Sequence, residues 1–232
     1  MKSWHTIRRW LLAWLFPNRC LFCDHVIDWD ALYCETCEKS IPYAEDVCPL
    51  CGKSVCVCSK DFAYDSCAVV CHYRDTAADA VRRMKFQDRP DLAENAGAMM
   101  AATVRMLRAD TVIPVPMDRR SLRRRGYNQA ELLAREITRR AGLTLLPRAL
   151  RKVRGTQQQH TLSSEERAKN LAGAFAVFPS VSLRGKAVLL CDDVLTTGHT
   201  LHACAAALKK AGVIRVDCVV FASVPEKMQE TT

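Results

Sequence analysis

Ten of the thirteen cysteines lie between Cys20 and Cys71, leaving only Cys191, Cys204 and Cys218 beyond. Eight of the ten come in close pairs: Cys20-x2-Cys23, ten residues, Cys34-x2-Cys37, ten more, Cys48-x2-Cys51, then Cys56-x-Cys58. A two-residue gap lets one tight turn aim two sulfurs at the same ion. Zinc takes four thiolates at about 2.3 Å, so eight paired thiols predict two tetrahedral sites. Sequential pairing places Cys20, Cys23, Cys34 and Cys37 on one ion and Cys48, Cys51, Cys56 and Cys58 on the other; a crossed arrangement is compatible with the same spacing. Pro49 and Gly52 supply turn chemistry around the third pair. Disulfides are the rival reading, disfavoured in a reducing cytosol. Redox pairs are another, but they normally come singly beside a βαβ unit.

Few apolar residues separate these pairs, so the cysteine-rich head is expected to have little core of its own. Bound metal would then supply most of its folding free energy, on the order of 10 kcal/mol per site. Four thiolates per ion leave no open coordination position, and the zinc is expected to be structural. Asp24, His25 and His72 read as ordinary turn or surface residues, and Cys67 and Cys71, inside the apolar run CAVVCHY, as buried strand residues.

Beyond Cys67 the chain changes character. Apolar runs alternate with helical patterns, the rhythm of a mainly parallel sheet flanked by helices. CAVVCHY reads as a strand, TAADAVRRMKF as a helix with Ala77, Ala80, Val81 and Met84 inward, and Pro90 opens a helical stretch reaching 107. TVIPVP is a short strand with an abrupt exit, 128–140 a helix, KAVLLC a continuous buried strand, 199–211 a helix ended by Gly212, and RVDCVVFASV the last strand. A chain of 232 residues, 49% of them hydrophobic, can bury a core of this kind, and nine Gly and nine Pro exclude collagen-like or low-complexity architectures. The fold class expected is α/β with a small double zinc ribbon in front.

The charge is localised. Lys and Arg number 34 against 25 Asp and Glu, giving +9 for the chain, yet residues 119–154 alone carry 12 Arg and Lys against Glu131 and Glu136. Such a face draws polyanions, and any nucleic acid on it would bind with steep salt dependence. A merely solvated basic face is the plainer reading. Aromatics make up 7% of the chain and Tyr127 is alone in the basic stretch, so base stacking has little support there. At the N-terminus, Trp4, Ile7, Leu11, Trp14 and Leu15 fall on one helical face. The run is too short to span a bilayer and lacks a small-residue cleavage site, so it is expected to pack on its own domain ahead of lying on lipid.

The strongest chemical signal follows KAVLLC: Asp192, Asp193, Val194, Leu195, Thr196, Thr197, Gly198, His199 and Thr200 join a strand to a helix. Ligands of open α/β sheets sit at the carboxyl ends of strands. Small residues at Thr196, Thr197 and Gly198 let backbone amides close around a phosphate, with the helix N-terminus adding a favourable dipole. Two carboxylates are the wrong sign for phosphate and must face hydroxyls or a divalent metal. A sugar phosphate meets both demands.

That string resembles the phosphoribosyl-pyrophosphate (PRPP) motif of type I phosphoribosyltransferases. The resemblance implies that Asp192 and Asp193 hold the ribose hydroxyls while Leu195, Thr196, Thr197, Gly198, His199 and Thr200 form the 5-phosphate loop. It also implies that the segment after TVIPVP, with Arg124, Arg125 and Gly126, lies near the pyrophosphate, that Mg²⁺ accompanies PRPP, and that Asp192 or Asp193 stabilises charge developing on the ribose. Tyr127, Asn128 and Gln129 either shape an acceptor pocket or, for Asn128, start a helix. Together with RMKF at Lys85, RRRGYNQAELLA, RGTQQQHTLSSEERAKNLAGAF and the cysteine-rich head, the chain is similar over nearly its whole length to the ComF family of competence and DNA-utilisation proteins.

The organisation this implies is an amphipathic helix over 1–18, a double zinc ribbon over 19–62, a phosphoribosyltransferase-like domain over 63–226 and a tail over 227–232. Arg154, Thr156, Gln159, Arg167 and Asn170 match the family pattern as hood or nucleic-acid contacts. The family implies cytoplasmic action, also peripherally at the inner membrane, with PRPP, single-stranded DNA and the DNA-uptake machinery as partners. Three functions are compatible with these residues: phosphoribosyl transfer to an unidentified acceptor, non-catalytic binding of single-stranded DNA, and sensing of PRPP without turnover.

Overall fold

The computed structural model describes residues 17–58, 62–87, 89–104, 107–153, 171 and 173–225. The apolar stripe near the N-terminus, the C-terminal tail, and the hood positions Arg154, Thr156, Gln159, Arg167 and Asn170 lie outside the described residues.

Among the described residues the strands are β1 (Ser66–His72), β2 (Thr111–Pro114), β3 (Thr144–Leu145), β4 (Leu150–Lys152), β5 (Phe175–Val177), β6 (Ala187–Leu195) and β7 (Arg215–Ser223). Five of them make one parallel sheet in the order β1-β7-β6-β2-β3, and β4 and β5 pair separately as an antiparallel two-stranded sheet. The helices among them are α1 (Glu35–Glu38), α2 (Asp75–Phe86), α3 (Leu92–Thr103), α4 (Arg119–Arg125), α5 (Gln129–Ala141) and α6 (His199–Lys210).

Both faces of the sheet are covered, which is why its central strands read as unbroken apolar runs. Alternate residues of β6 and β7 supply the two cores. Leu189, Cys191, Val219 and Phe221 join Ala77, Val81 and Met84 of α2, Leu92, Ala96 and Met100 of α3, and Leu133 and Ile137 of α5. Val188, Leu190, Val216, Cys218 and Val220 join Leu201, Cys204, Ala205 and Leu208 of α6 on the other face. The chain leaves β2 toward β3 with α5 on one face and leaves β6 toward β7 with α6 on the other, so the neighbouring carboxyl ends of β2 and β6 form a topological switch point, where such sheets bind ligands.

Three features differ from the sequence expectation. The strand expected to end at Cys191 runs on to Leu195, because β7 continues beside it with Val194 opposite Ala222 and Leu195 opposite Ser223; Asp192 and Asp193 are therefore strand residues. The basic segment after TVIPVP is helical: Asp118 caps α4 by accepting from Ser121 N–H at 2.9 Å. Its side chains bury nothing, so no hydrophobic period announces it. The cysteine-rich head, finally, is not coreless. Leu21 and Phe22 are buried among α2, α3 and β7, with the Phe22 and Phe221 rings 6.4 Å apart, and Arg83 of α2 donates to the carbonyl of Leu21 at 3.0 Å.

Candidate functional site

Strand pleating sends Asp192 and Asp193 to opposite faces at the carboxyl end of β6. Asp193 is 8% exposed and follows Leu189 and Cys191 onto the α2 side, where Lys85 Nζ meets its Oδ1 at 2.9 Å. Burial pulls the Lys85 pKa down, but Asp193 and then Asp192 push it up more strongly, and the net shift is upward despite the nearby Arg125. Asp192, on the other side, accepts from the Asp193 N–H at 2.9 Å. Burial first and the Asp193 charge second push its carboxyl up to about 7, against the opposing pull of Lys85. Lys85 thus pairs directly with Asp193 and acts on Asp192 only through its charge.

The turn from Thr196 to Gly198 follows at once and leads into α6, whose first N–H groups have no intrahelical acceptor. Thr196 is exposed, Thr197, His199 and Thr200 are half-buried, and Gly198 is the left-handed N-cap with φ +84°. The φ of +84° favours glycine at 198, and a Cβ there would crowd Phe62 Cε1 at 3.1 Å and the Tyr64 hydroxyl at 3.3 Å. Leu195 departs from the others: its side chain is 1% exposed and belongs to the α6-side core, leaving only its main chain near the turn.

From the β2 side, α4 presents Arg119, Arg120, Arg123 and Arg124 to solvent. Arg125 is half-buried; its Nη1 donates to Gln129 Oε1 at 3.1 Å, its guanidinium lies 5.2 Å from the Phe86 ring centroid, and its buried Nε has no partner among the described residues. A buried donor of this kind fits an anionic oxygen. Gly126 caps α4 with its N–H on Leu122 O at 2.8 Å. Tyr127 and Gln129 tie this corner to α2 through the Met84 carbonyl at 2.8 and 3.2 Å, and Asn128 both caps α5 on Ala130 N–H and donates to Val115 O at 3.0 Å. The helix-starting role holds for Asn128. Lys85, Asp193, Arg125 and the Thr196–Gly198 turn thus converge from α2, β6 and α4.

The eight paired cysteines form two groups in sequential order. Cys20, Cys23, Cys34 and Cys37 bring their sulfurs within 4.8 Å of one another, as do Cys48, Cys51, Cys56 and Cys58. Cys23–Cys34 and Cys48–Cys58 are 3.6 Å apart. Tetrahedral coordination at 2.3 Å sets sulfurs roughly 3.8 Å apart, while a disulfide needs about 2.05 Å, so the donor sets fit zinc. The shifts within the two groups run both ways: the backbone of Cys37 lowers the Cys34 thiol to about 7 and the backbone of Cys51 lowers Cys48 to about 7, whereas burial pushes Cys37 and Cys23 up and the Cys56 thiol pushes Cys58 up to about 12. His72, expected in a turn or at the surface, is instead buried at the end of β1, where pairing with β7 carries it inward; it is bonded to Asp46 at 2.6 Å and belongs to neither group.

Two side chains that contact the acid pair and the turn were not among the sequence candidates. Lys85 is flagged only by RMKF, where it follows the inward Met84. Lys53 has no local signal: it is 3% exposed, and its Nζ donates to the carbonyls of Thr196 and, at 3.2 Å, Val224.

A double zinc ribbon domain matches residues 11–72 and a phosphoribosyl transferase domain residues 120–231. Competence protein F of Haemophilus influenzae is 30% identical over 189 residues, covering 78% of this chain and 80% of that protein. The chain belongs to the ComF competence and DNA-utilisation family. Among other ComF relatives, DNA utilization protein YhgH of Escherichia coli K12 is 27% identical over 198 residues, covering 79% of this chain and 86% of its own. Competence protein ComFC of Bacillus subtilis is 26% identical over 224 residues, covering 83% and 89%. In this ComF chain the phosphoribosyl transferase match spans β3 to β7, α5, α6 and the Thr/Gly turn, with β1 and β2 preceding it, and the double zinc ribbon match spans both four-cysteine groups. Among the described residues no helix is long and apolar enough to cross a membrane.

Proposed function

We propose that this ComF protein binds PRPP at the end of β6 and acts in DNA utilisation as a phosphoribosyltransferase-like enzyme. The observation that carries this reading is the union, within one strand-to-helix turn, of two differently compensated acids and a glycine-capped loop at a helix N-terminus. The 5-phosphate takes the main-chain donors of Thr196 to Thr200, and the ribose hydroxyls donate to Asp192 and Asp193. Arg125, whose buried Nε lacks an acceptor among the described residues, and Lys85 face the pyrophosphate. Mg²⁺ supplies charge neutralisation to the pyrophosphate. In transfer, the acceptor's lone pair forms a bond to the anomeric carbon as the carbon–oxygen bond to pyrophosphate breaks. Pyrophosphate leaves with the bonding electrons, the acceptor's proton passes to solvent, and an aspartate stabilises the positive ring.

Zinc fills both four-cysteine groups in this reading, and thirteen cysteines with no disulfide between them suit a cytoplasmic setting. Single-stranded DNA is a second partner favoured by a separate observation: four arginines of one short helix, none of them buried, lie beside the site. The test is a structure of crystals soaked with PRPP and Mg²⁺. The reading expects the 5-phosphate within hydrogen-bond distance of the Thr197 and Gly198 amides; a phosphate bound elsewhere, or no ligand at millimolar concentration, contradicts it.

A further inference from the structure

We propose that Lys53, from the second four-cysteine group, is a positioning residue for the Thr196–Gly198 turn and couples the metal state of that group to the turn's geometry. Lys53 is two residues past the ligand candidate Cys51, and its backbone is locked into the ribbon: Cys48 N–H donates to Lys53 O at 2.9 Å and Gly52 N–H to Cys48 O at 2.8 Å. Its side chain crosses to the sheet and ends on the carbonyls of Thr196 and Val224. Val224 N–H in turn donates to Leu195 O at 2.9 Å, so the cation stitches together the exits of β6 and β7.

The consequence for ligand binding follows from peptide geometry. The C=O and N–H of a trans peptide point in opposite directions, and every described peptide is trans. Holding the Thr196 carbonyl toward the ribbon therefore turns the Thr197 N–H away from it, to the open side of the turn where an anion would sit. Lys53 acts through that peptide rather than by touching ligand.

The ribbon also leaves the turn no slack. A Cβ on Gly52, which has φ +70°, would lie 2.8 Å from both Cys67 Sγ and Leu195 Cδ2, so the ribbon backbone is already pressed against the base of the turn. At the other end Gly198 rests on Phe62 and Tyr64, whose rings stack at 4.9 Å, and the Tyr64 hydroxyl donates to the Cys51 carbonyl at 3.4 Å. Both ends of the turn are seated on the chain between Cys48 and Cys58 and the segment that follows it. Loss of metal there frees the Cys48–Lys53 turn and with it the Thr196 carbonyl. Coupling of this kind is reciprocal: a ligand that needs the turn formed must also hold the metal in place.

That this turn binds PRPP is taken from the function proposed above, and the experiment separates the two claims. Full-length protein loaded with zinc is compared with Lys53→Met and Lys53→Arg by metal analysis, hydrogen exchange over 192–200, and titration with PRPP and Mg²⁺. The expectation is two zinc ions per chain in every variant, exchange at Thr197 and Gly198 at least tenfold faster in Lys53→Met, PRPP affinity at least tenfold weaker, and partial rescue in Lys53→Arg. Unchanged exchange in zinc-loaded Lys53→Met overturns the inference. Should that variant fail to fold, a chelator titration of the wild type decides: PRPP slowing the loss of one of the two zinc ions supports coupling, and identical release with and without bound PRPP overturns it. If the wild type binds no PRPP while exchange still responds to Lys53→Met, the positioning role stands and the PRPP assignment falls.

Discussion

Lys85 Nζ lies 2.9 Å from Asp193 Oδ1, joining the last turn of α2 to the carboxyl end of β6 in an ion pair whose two side chains are 24% and 11% exposed. The pair ties α2 to the sheet beside the packing of Ala77, Val81 and Met84. Removing Lys85 alone leaves Asp193 without its counter-charge, whereas removing both charges does not. Lys85→Met is therefore expected to destabilise the protein by about 2 kcal/mol in denaturant titrations, and adding Asp193→Asn to recover most of that loss without recovering PRPP binding. Equal destabilisation in the single and double variants would contradict the pairing.

The raised pKa of Asp192 makes a signed pH prediction. The unfolded chain ionises this carboxyl near 3.8 and the folded protein near 7. Its contribution is fully present below the unfolded value and is lost as pH rises through about 7. Asparagine cannot ionise, so Asp192→Asn should gain thermal stability over the wild type as pH rises from 5.5 to 8.5, by on the order of 1–3 kcal/mol. A constant difference across that range would show that Asp192 is not desolvated. Ligand hydroxyls favour the ionised acid, so PRPP binding should release protons near pH 7, seen as a dependence of the calorimetric heat on buffer ionisation.

Leu21 and Phe22 share a core with α2, α3 and Phe221, so the first four-cysteine group is expected to melt with the sheet and not before it. Cys23→Ser should lower the single thermal transition of the whole chain, monitored by far-UV circular dichroism and by zinc release. Two separated transitions, with the sheet melting unchanged, would mean that the head folds independently.

The exposed arginines of α4 give a quantitative expectation for single-stranded DNA. Each phosphate neutralised contributes about 0.7 to the slope of log affinity against log salt. Replacing Arg119, Arg120 and Arg123 by Ala should reduce that slope by up to about 2 while leaving Arg124, Arg125 and the PRPP site in place. An unchanged slope would place the DNA elsewhere.

Much of this architecture was legible because its signals are local. Cys-x2-Cys spacing exposes the metal groups, unbroken apolar runs expose the long strands and period-3.6 patterns the helices, and two acids before a Thr/Gly turn expose the site. What escaped is what the tertiary structure supplies. The extension of β6 through Asp192 to Leu195 depends on β7 running beside it. The helix α4 carries no buried side chain, and β3 with two residues is too short to show a period. Lys85 and Lys53 look like ordinary lysines in the sequence, since the acceptors that define them, Asp193 and the Thr196 carbonyl, come from distant strands. The head reads as coreless in the sequence because its apolar partners lie in α2, α3 and β7.

The most direct test of the account is isothermal titration of the zinc-loaded protein with PRPP and Mg²⁺, run beside Asp192→Asn/Asp193→Asn. The account predicts one PRPP per chain for the wild type and at least a hundredfold weaker binding for the double variant. No heat from the wild type at millimolar PRPP, or equal affinity in both proteins, would contradict it.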